Sequence, residues 1–218
     1  MLNWKQIDTV LLDMDGTLLD LNFDNHFWQE FVPLRFAELH GLALEDAKQQ
    51  LAPRFKAMEG RLEWYCLDYW TRELALNIVG LKQELAGLIA VHPHVTEFLD
   101  AVRASGKRLF LVTNAHRDSL NLKMEKTCLH RFFDEIISSH DFGFAKEQQG
   151  FWQILQDNHL FEKQSTLLVD DSVAVLTSAR TFGIAHLVSI SKPDSQRPVK
   201  PVAEFAAVED FRALMPGL

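Results

Sequence analysis

The chain has 218 residues, of which 47% are hydrophobic and 24% are charged; these ordinary globular proportions argue against disorder, and the length suits one α/β domain with an insertion or two small domains. The 22 basic and 30 acidic residues give a net charge of −8. No basic stripe is visible, so we expect no nucleic acid polymer as a partner, whereas a small phosphate compound needs only a local positive site.

Three short apolar segments, at residues 10–12, 108–112 and 166–169, predict strands that are buried on both faces, as in a parallel sheet. A further strand is predicted at residues 184–188. Helical patterns lie between these segments, at residues 96–104, 118–127 and 172–182. Alternating strands and helices predict an α/β fold with a doubly wound parallel sheet.

Residues 21–90 have a different pattern, rich in aromatic side chains at helical spacing. We predict four helices there, at residues 27–39, 45–58, 62–76 and 81–89, with Pro53 kinking or dividing the second. The predicted organisation is therefore an α/β core domain, formed by residues 1–20 and 91–218, with an all-helical cap domain at residues 21–90. A short helix is predicted near the end of the chain, at residues 210–214.

Cys66 and Cys128 are the only cysteines. They form no CxxC pair, so we predict neither a disulfide framework nor a thiolate metal site. No apolar run approaches the ~18 residues of a membrane span, and Asp13 interrupts the apolar stretch that a secretory signal would need. We expect a cytoplasmic, soluble protein with no membrane partner; the oligomeric state is open, with a monomer as the default.

Acidic residues follow two of the predicted strands. Asp13 and Asp15, two positions apart on an extended chain, point to the same side, and Gly16 allows a sharp turn beside a ligand. Carboxylates this close repel each other, and a divalent cation with a preference for oxygen ligands, Mg²⁺, would relieve that repulsion. Asp170 and Asp171 supply further carboxylates. One acid is then available as a nucleophile and another as a proton donor.

The alternative is that the Asp13–Thr17 stretch is only a polar turn, because Asp and Gly are favoured in turns. Function is favoured because Thr113-Asn114, Lys146 and Asp170-Asp171 follow in order after matching elements. This ordered set resembles the haloacid dehalogenase superfamily of phosphotransferases, and residues 21–90 resemble its helical cap. Residues 23–28 and 64–70 further resemble the members that hydrolyse the purine nucleoside 5′-monophosphates GMP and IMP.

The resemblance implies a role for each matching residue. Asp13 would be the nucleophile that forms an aspartyl-phosphate, and Asp15 the general acid and base. Thr113 and Asn114 would bind the phosphoryl oxygens, and Lys146 would offset charge between Asp13 and the phosphate. The implied Mg²⁺ ligands are Asp13, the backbone carbonyl of Asp15, Asp171, and Asp170 directly or through water. The predicted partner is a small phosphomonoester, a purine nucleoside monophosphate.

Other functions remain open at this stage. Within enzymes they are a sugar-phosphate or phosphoglycolate-type phosphatase and a phosphomutase; a dehalogenase is disfavoured, because it needs neither a second acid at Asp15 nor a metal. A non-catalytic phosphometabolite-binding module is disfavoured by the retained Asp13, Asp15 and Asp171.

Several features leave alternatives open. Lys146 is followed by Glu147 where the superfamily often has proline, and Glu147 either weakens the lysine or faces solvent; Lys126 and Lys163 are the fallback lysines. The cap aromatics either stack a purine base or form the core of the cap, and no stacking residue is assigned. His92 and His94 lack a third ligand for zinc and are interpreted as a hinge. His116 and Arg117 either contact the substrate or belong only to a loop.

Overall fold

One parallel six-stranded sheet organises the computed structural model, which describes residues 2–216. Its spatial order is β3-β2-β1-β4-β5-β6, and every neighbouring pair is parallel. The strands are β1 Thr9–Leu12, β2 Arg108–Thr113, β3 Glu135–Ser138, β4 Thr166–Asp170, β5 His186–Ile190 and β6 Ala206–Val208. The order reverses between β1 and β4, and such a switch point is where open α/β sheets bind ligands.

Ten α-helices accompany the sheet within the described residues. They are α1 Asn22–His26, α2 Val32–His40, α3 Leu44–Lys56, α4 Leu62–Tyr65, α5 Leu67–Leu74, α6 Ile78–Glu84, α7 Val95–Ala104, α8 Arg117–Thr127, α9 Gln149–His159 and α10 Val173–Phe182. A π-helical segment, Phe27–Phe31, joins α1 to α2. The short 3₁₀ helices are Trp4–Gln6, Ala86–Leu88, Leu129–Phe132, Ser139–Asp141, Lys163–Ser165 and Phe211–Leu214.

The sheet is buried on both faces because successive side chains of its central strands point to opposite sides. In β1, Val10 and Leu12 join the apolar cluster that also holds residues of α7 and α8. Leu11 points the other way and joins the cluster formed with α9 and α10. This two-sided burial explains why the strands read as continuous apolar runs, and it confirms the predicted doubly wound parallel fold.

A third apolar cluster lies within residues 27–81 and draws on helices α2, α3, α5 and α6. It holds Phe27, Val32, Leu51 and Trp70, all nearly or fully buried. A segment with its own apolar core supports the predicted division of the chain into a core and a helical cap, which we keep as a proposal.

Three predictions about the helical segment were wrong in detail. Pro53 does not divide α3: it lies in the last turn, and its carbonyl accepts a hydrogen bond from the amide of Ala57. The helix predicted at residues 62–76 is two helices, because Cys66 adopts an extended conformation between α4 and α5. The helix predicted at residues 81–89 begins earlier, at Ile78, and α6 ends at Glu84.

Outside the helical segment, β3 and β6 were not predicted. The strand predicted at residues 184–188 begins at His186. The predicted terminal helix is a single 3₁₀ turn, Phe211–Leu214. Within residues 2–216, no helix combines the length and the apolar character needed to span a lipid bilayer.

Candidate active site

A cavity of about 500 Å³ opens at the carboxyl ends of β1, β2 and β4, between the sheet and the helical segment. All the residues predicted to carry the chemistry line it. The lining side chains are Asp13, Asp15, Leu21, Asp24, Asn25, Trp28, Gln29, Phe55, Glu59, Trp64, Tyr65, Thr113, Asn114, Ala115, Lys146, Asp170, Asp171, Ser172 and Val175. Loops that are far apart in sequence therefore meet at the switch point of the sheet.

Lys146 lies at the centre of the charged cluster and is almost fully buried. Its Nζ atom donates hydrogen bonds to Oδ1 of Asp13 at 2.5 Å, to Oδ2 of Asp170 at 2.7 Å and to the carbonyl of Val112 at 3.0 Å. The two carboxylates hold the pKa of Lys146 above its usual value, although burial acts in the opposite direction. Lys146 is therefore a fixed cation beside the predicted nucleophile.

Three carboxylates, from Asp13, Asp170 and Asp171, each place an oxygen atom within 4.8 Å of the others. Burial raises the pKa of Asp13 to about 6, against the effect of Lys146. The pKa of Asp171 is raised well above its usual value, by burial and by the charges of Asp170 and Asp13. Hard oxygen ligands that repel one another fit Mg²⁺, since a divalent cation would compensate the excess negative charge.

Gly16 is required for this arrangement. Its φ angle is +83°, a left-handed conformation that favours glycine. A Cβ atom added there would lie 2.7 Å from Oδ2 of Asp171. The backbone at Gly16 therefore packs directly against the carboxylate of Asp171, which follows β4.

Asp15 is held by a different lysine. Oδ1 of Asp15 accepts a hydrogen bond from Nζ of Lys123 at 2.7 Å, and Lys123 also donates to Oδ2 of Asp24 at 2.6 Å. Oδ1 of Asp24 in turn accepts from Nζ of Lys82 at 2.7 Å. Lys123 lies on α8 beside the sheet, whereas Asp24 and Lys82 lie on α1 and α6. A series of four charges, two buried lysines and two partly exposed carboxylates, thus joins the predicted general acid to the helical segment.

The pKa values of these charged side chains are shifted in different directions from their usual values. Burial raises the pKa of Asp15 to about 6, with Lys123 opposing the shift. For Asp24, burial again acts to raise the pKa, but Lys123 and Lys82 together hold it well below the usual range. Burial lowers the pKa of Lys82. Asp24 is therefore the permanent anion, and Asp15 is the carboxyl group whose proton is easily exchanged near neutral pH.

The residues after β2 are held by Glu147. The side-chain amide of Asn114 donates to Oε2 of Glu147 at 2.9 Å, and the hydroxyl of Tyr65 donates to its Oε1 at 2.7 Å. Oδ1 of Asn114 accepts from the backbone amide of Lys146 at 2.9 Å. Glu147 thus makes hydrogen bonds to Asn114 and to the helical segment, contacts that neither of the two alternatives for Glu147 included.

Aromatic side chains of the helical segment cover the cavity. Trp28, Phe55 and Trp64 line it and also pack on one another, with ring centroids 5.7 to 6.1 Å apart. The two interpretations of the cap aromatics, cap core and base-stacking surface, therefore apply to the same side chains.

A model of the haloacid dehalogenase-like hydrolase family matches residues 7–183, which is most of the chain. The chain belongs to the haloacid dehalogenase-like hydrolase family. The predicted family and the prediction of a hydrolytic enzyme are thereby confirmed.

Relatives of this haloacid dehalogenase-like hydrolase are similar along most of its length. The GMP/IMP nucleotidase YrfG of Escherichia coli K12 is 39% identical over 215 residues, which are 99% of this chain and 97% of the relative. A phosphoglycolate phosphatase of Agrobacterium fabrum is 24% identical, covering 95% of this chain and 91% of the relative. The crystal structure of a HAD phosphatase from Thermococcus onnurineus superposes with a TM-score of 0.80 at 19% identity, covering 95% and 96% of the two chains.

Every predicted site residue of this hydrolase lines the one cavity: Asp13, Asp15, Thr113, Asn114, Lys146, Asp170 and Asp171. The fallback lysines do not: Lys163 donates to the carbonyl of Phe182, and Lys126 is exposed. Arg117 pairs with Asp141 and is absent from the cavity lining. His92 contacts the carbonyl of Pro193 at 3.1 Å; the interpretation of His92 and His94 as a hinge stays a prediction.

Sequence reasoning missed Lys123, Asp24, Lys82 and Tyr65. One signal was available for Lys123: it lies three positions after Leu120 and one before Met124, on the buried stripe of α8. A lysine on an apolar stripe is expected to be paired when it is buried. Its partners could not be identified, because Asp15 and Asp24 are 108 and 99 positions away.

Proposed function

We propose that this hydrolase is a Mg²⁺-dependent phosphatase of purine nucleoside 5′-monophosphates, acting through an aspartyl-phosphate on Asp13. The observation that carries the proposal is the meeting of Asp13, Lys146, Asp170 and Asp171 in one cavity that Asp15 also lines. Phosphoryl transfer needs in-line positioning and charge neutralisation more than elaborate covalent chemistry, and we propose that these residues supply both.

In the first step, a carboxylate oxygen of Asp13 attacks the phosphorus atom, and the bond between phosphorus and the ribose 5′-oxygen breaks. Asp15 gives its proton to that oxygen. In the second step, Asp15 takes a proton from water, whose oxygen attacks the phosphorus; inorganic phosphate leaves and Asp13 is restored. A pKa of about 6 for Asp15 suits both roles, because a general acid and base works best near the operating pH.

The other polar residues hold the phosphoryl group. Lys146 compensates negative charge on Asp13, and Thr113 and Asn114 are proposed to donate hydrogen bonds to phosphoryl oxygens. Asp13, the Asp15 carbonyl, Asp170 and Asp171 would hold Mg²⁺, which supplies further neutralisation of phosphate charge when bound. Gly16 keeps the backbone close to Asp171.

The proposed substrate class rests on the cavity wall and on one relative. Trp28, Phe55 and Trp64 offer aromatic faces, and aromatic faces bind nucleobases by stacking. The E. coli relative that is 39% identical is a GMP/IMP nucleotidase. We propose that residues 21–90 form a cap that closes over the substrate and excludes water, in a cytoplasmic enzyme.

A substrate panel tests the proposal. Phosphate release is measured with GMP, IMP, ribose 5-phosphate, phosphoglycolate and glucose phosphates, each in Mg²⁺ and in EDTA. We expect kcat/KM for GMP or IMP to exceed that for ribose 5-phosphate, which lacks only the base, by about tenfold or more. Preference for phosphoglycolate would favour the activity named for the Agrobacterium relative, isomerised sugar phosphate would indicate a mutase, and full activity in EDTA would exclude the metal role.

The variant Asp13→Asn separates catalysis from binding. We expect turnover to fall by at least about four orders of magnitude, while the circular dichroism spectrum and GMP binding remain. Wild-type protein that binds GMP without any turnover in Mg²⁺ would instead indicate a non-catalytic binding module.

A further inference from the structure

A second cluster of metal-binding side chains lies outside the cavity just described. Cys66, His116 and His140 each place one ligand atom within 4.8 Å of the others. Cys66 lies between α4 and α5, His116 precedes α8, and His140 lies in the 3₁₀ turn after β3. The three residues come from three separate segments, so their meeting is a product of the fold.

We propose that Cys66, His116 and His140 form a binding site for a thiophilic transition-metal ion of the Zn²⁺ class, joining the helical segment to the sheet. One thiolate and two imidazoles are a ligand set that Zn²⁺ prefers and that Mg²⁺ does not. The sequence predicted no thiolate metal site because it has no CxxC motif. The ligands here are 24 to 74 positions apart, a spacing that a motif search cannot detect.

The unmet hydrogen-bonding potential of His140 points to a ligand. Its Nε2 atom is buried and has no hydrogen-bond partner among the described residues. A buried ring nitrogen without a partner is costly and calls for a specific explanation.

Two carboxylates lie near the imidazole ring of His116. Oδ2 of Asp68 lies 3.7 Å from its Nε2 atom, and Oδ2 of Asp118 lies 3.6 Å from its Nδ1 atom. Nδ1 also accepts a hydrogen bond from the backbone amide of Asp118 at 3.4 Å, which leaves Nε2 as the nitrogen available to an ion. With an ion on Nε2, Nδ1 would carry the proton and face Asp118, since metal-bound histidines usually donate their other ring N–H to a carboxylate or carbonyl.

The sulfur and the space around it are compatible with an ion. Sγ of Cys66 accepts a hydrogen bond from the backbone amide of Tyr69 at 3.4 Å, which fixes the side chain at the start of α5. Cys66 and His140 line a cavity of about 370 Å³ that gives access from solvent. Zinc–ligand distances of about 2.0 to 2.3 Å imply ligand separations of about 3.5 Å. The three ligand atoms already lie within 4.8 Å of one another, so each pair would have to approach by at most about 1.3 Å.

Cobalt titration of the chelator-treated protein, in excess Mg²⁺ to fill the carboxylate site, tests the proposal. We expect tetrahedral Co²⁺ absorption with a thiolate-to-cobalt charge-transfer band that Zn²⁺ abolishes.

Cys66→Ser should remove the charge-transfer band, whereas Cys128→Ser, which alters the other cysteine, should leave it unchanged. His116→Asn and His140→Asn should weaken Co²⁺ binding at least about tenfold, and His130→Asn, at an exposed histidine, should not. Absence of the band in the wild type, or its persistence in Cys66→Ser, would overturn the site.

A second measurement needs no substitution. Alkylation of wild-type protein by iodoacetamide, followed by mass spectrometry of the cysteine peptides, should show that Zn²⁺ slows modification of Cys66 and leaves that of Cys128 unchanged. Equal protection of both cysteines, or of neither, would contradict the proposal.

Because the ligands come from the helical segment and from the sheet, a bound ion would restrain movement between them. We expect Zn²⁺ to reduce kcat for GMP reversibly in the wild type and not in Cys66→Ser. This expectation rests on the proposed phosphatase function, whereas the cobalt and alkylation experiments do not. A positive cobalt spectrum with no phosphatase activity would therefore reject the proposed function and keep the metal site.

Discussion

The Nζ atom of Lys123 lies 2.7 Å from Oδ1 of Asp15 and 2.6 Å from Oδ2 of Asp24. Lys123 is almost completely buried, so hydrogen bonds to two carboxylates replace those that its ammonium group would make to water. Asp15 follows a strand of the sheet, and Asp24 lies on the helical segment. Burial acts to lower the pKa of Lys123, but Asp15 and Asp24 together raise it. The ammonium group therefore stays charged and holds the predicted general acid against Asp24.

Lys123→Met tests how much the fold depends on this cation. Removing one partner from a buried ion pair leaves uncompensated charge, and we expect the free energy of unfolding to fall by about 3–5 kcal/mol. Urea denaturation measures it. Lys126→Met, at an exposed position of the same helix, should change stability by less than about 0.5 kcal/mol. Equal stability of the two variants would mean that the Asp15–Lys123–Asp24 contacts contribute nothing.

Gly16→Ala should affect the site more than the fold. The left-handed φ of +83° makes alanine cost about 1–2 kcal/mol, and the new Cβ would also lie 2.7 Å from Asp171. Gly41→Ala is the matched control, because Gly41 has a φ of +64° and open space around it. We expect similar losses of stability by thermal unfolding, but a large loss of Mg²⁺-dependent turnover only in Gly16→Ala. Normal turnover in Gly16→Ala would show that the position of Asp171 does not matter.

The central strands and the polar residues at their ends could be predicted from the sequence, because short local patterns determine both. Strands β1, β2 and β4 are buried on both faces, so each is a continuous apolar run, and each ends in polar residues that the parallel arrangement brings to one edge. That logic was sufficient to locate Asp13, Thr113 and Asp170 together. β3 was missed because Glu135–Ser138 has only two apolar residues, and β6 because a strand of three residues carries almost no pattern.

The contacts between the helical segment and the sheet could not be predicted, for a different reason. From the sequence, Glu147 was an unexpected acidic neighbour of Lys146. Its contact is with Tyr65, which is 82 positions away. The break between α4 and α5 is made by Cys66, whose sulfur caps the second helix, a role for which serine, threonine, aspartate and asparagine are the usual residues. Such pairings are decided by tertiary packing and leave no periodic trace in the sequence.

Tyr65→Phe tests whether the contact between Tyr65 and Glu147 holds the helical segment over the cavity, as the proposed closure requires. The lost hydrogen bond, from a hydroxyl to a carboxylate at 2.7 Å, should cost about 1–2 kcal/mol. If the contact holds the helical segment in place over the substrate, kcat/KM for GMP should fall about tenfold, mainly through KM. Tyr69→Phe is the control, since no hydrogen bond from its hydroxyl occurs in the part of the chain that the structure describes. An unchanged KM in Tyr65→Phe would show that substrate binding does not depend on this contact.

Because the pKa of Asp13 is raised, ionising this side chain lowers the free energy of unfolding, and the loss depends on pH. Its folded-state pKa of about 6 lies above the ordinary value of 3.8, so protonated Asp13 favours folding. That contribution is fully present below pH 3.8 and is lost as the pH rises through about 6. Asp13→Asn keeps a neutral group at every pH. In EDTA, it should match the wild type in stability near pH 4 and exceed it by up to about 3 kcal/mol at pH 7.5. Urea denaturation at both pH values measures the difference, with Asp8→Asn, at an exposed carboxylate, as the control. A constant difference between Asp13→Asn and the wild type across this range would show that Asp13 ionises in the folded protein as it does in the unfolded chain.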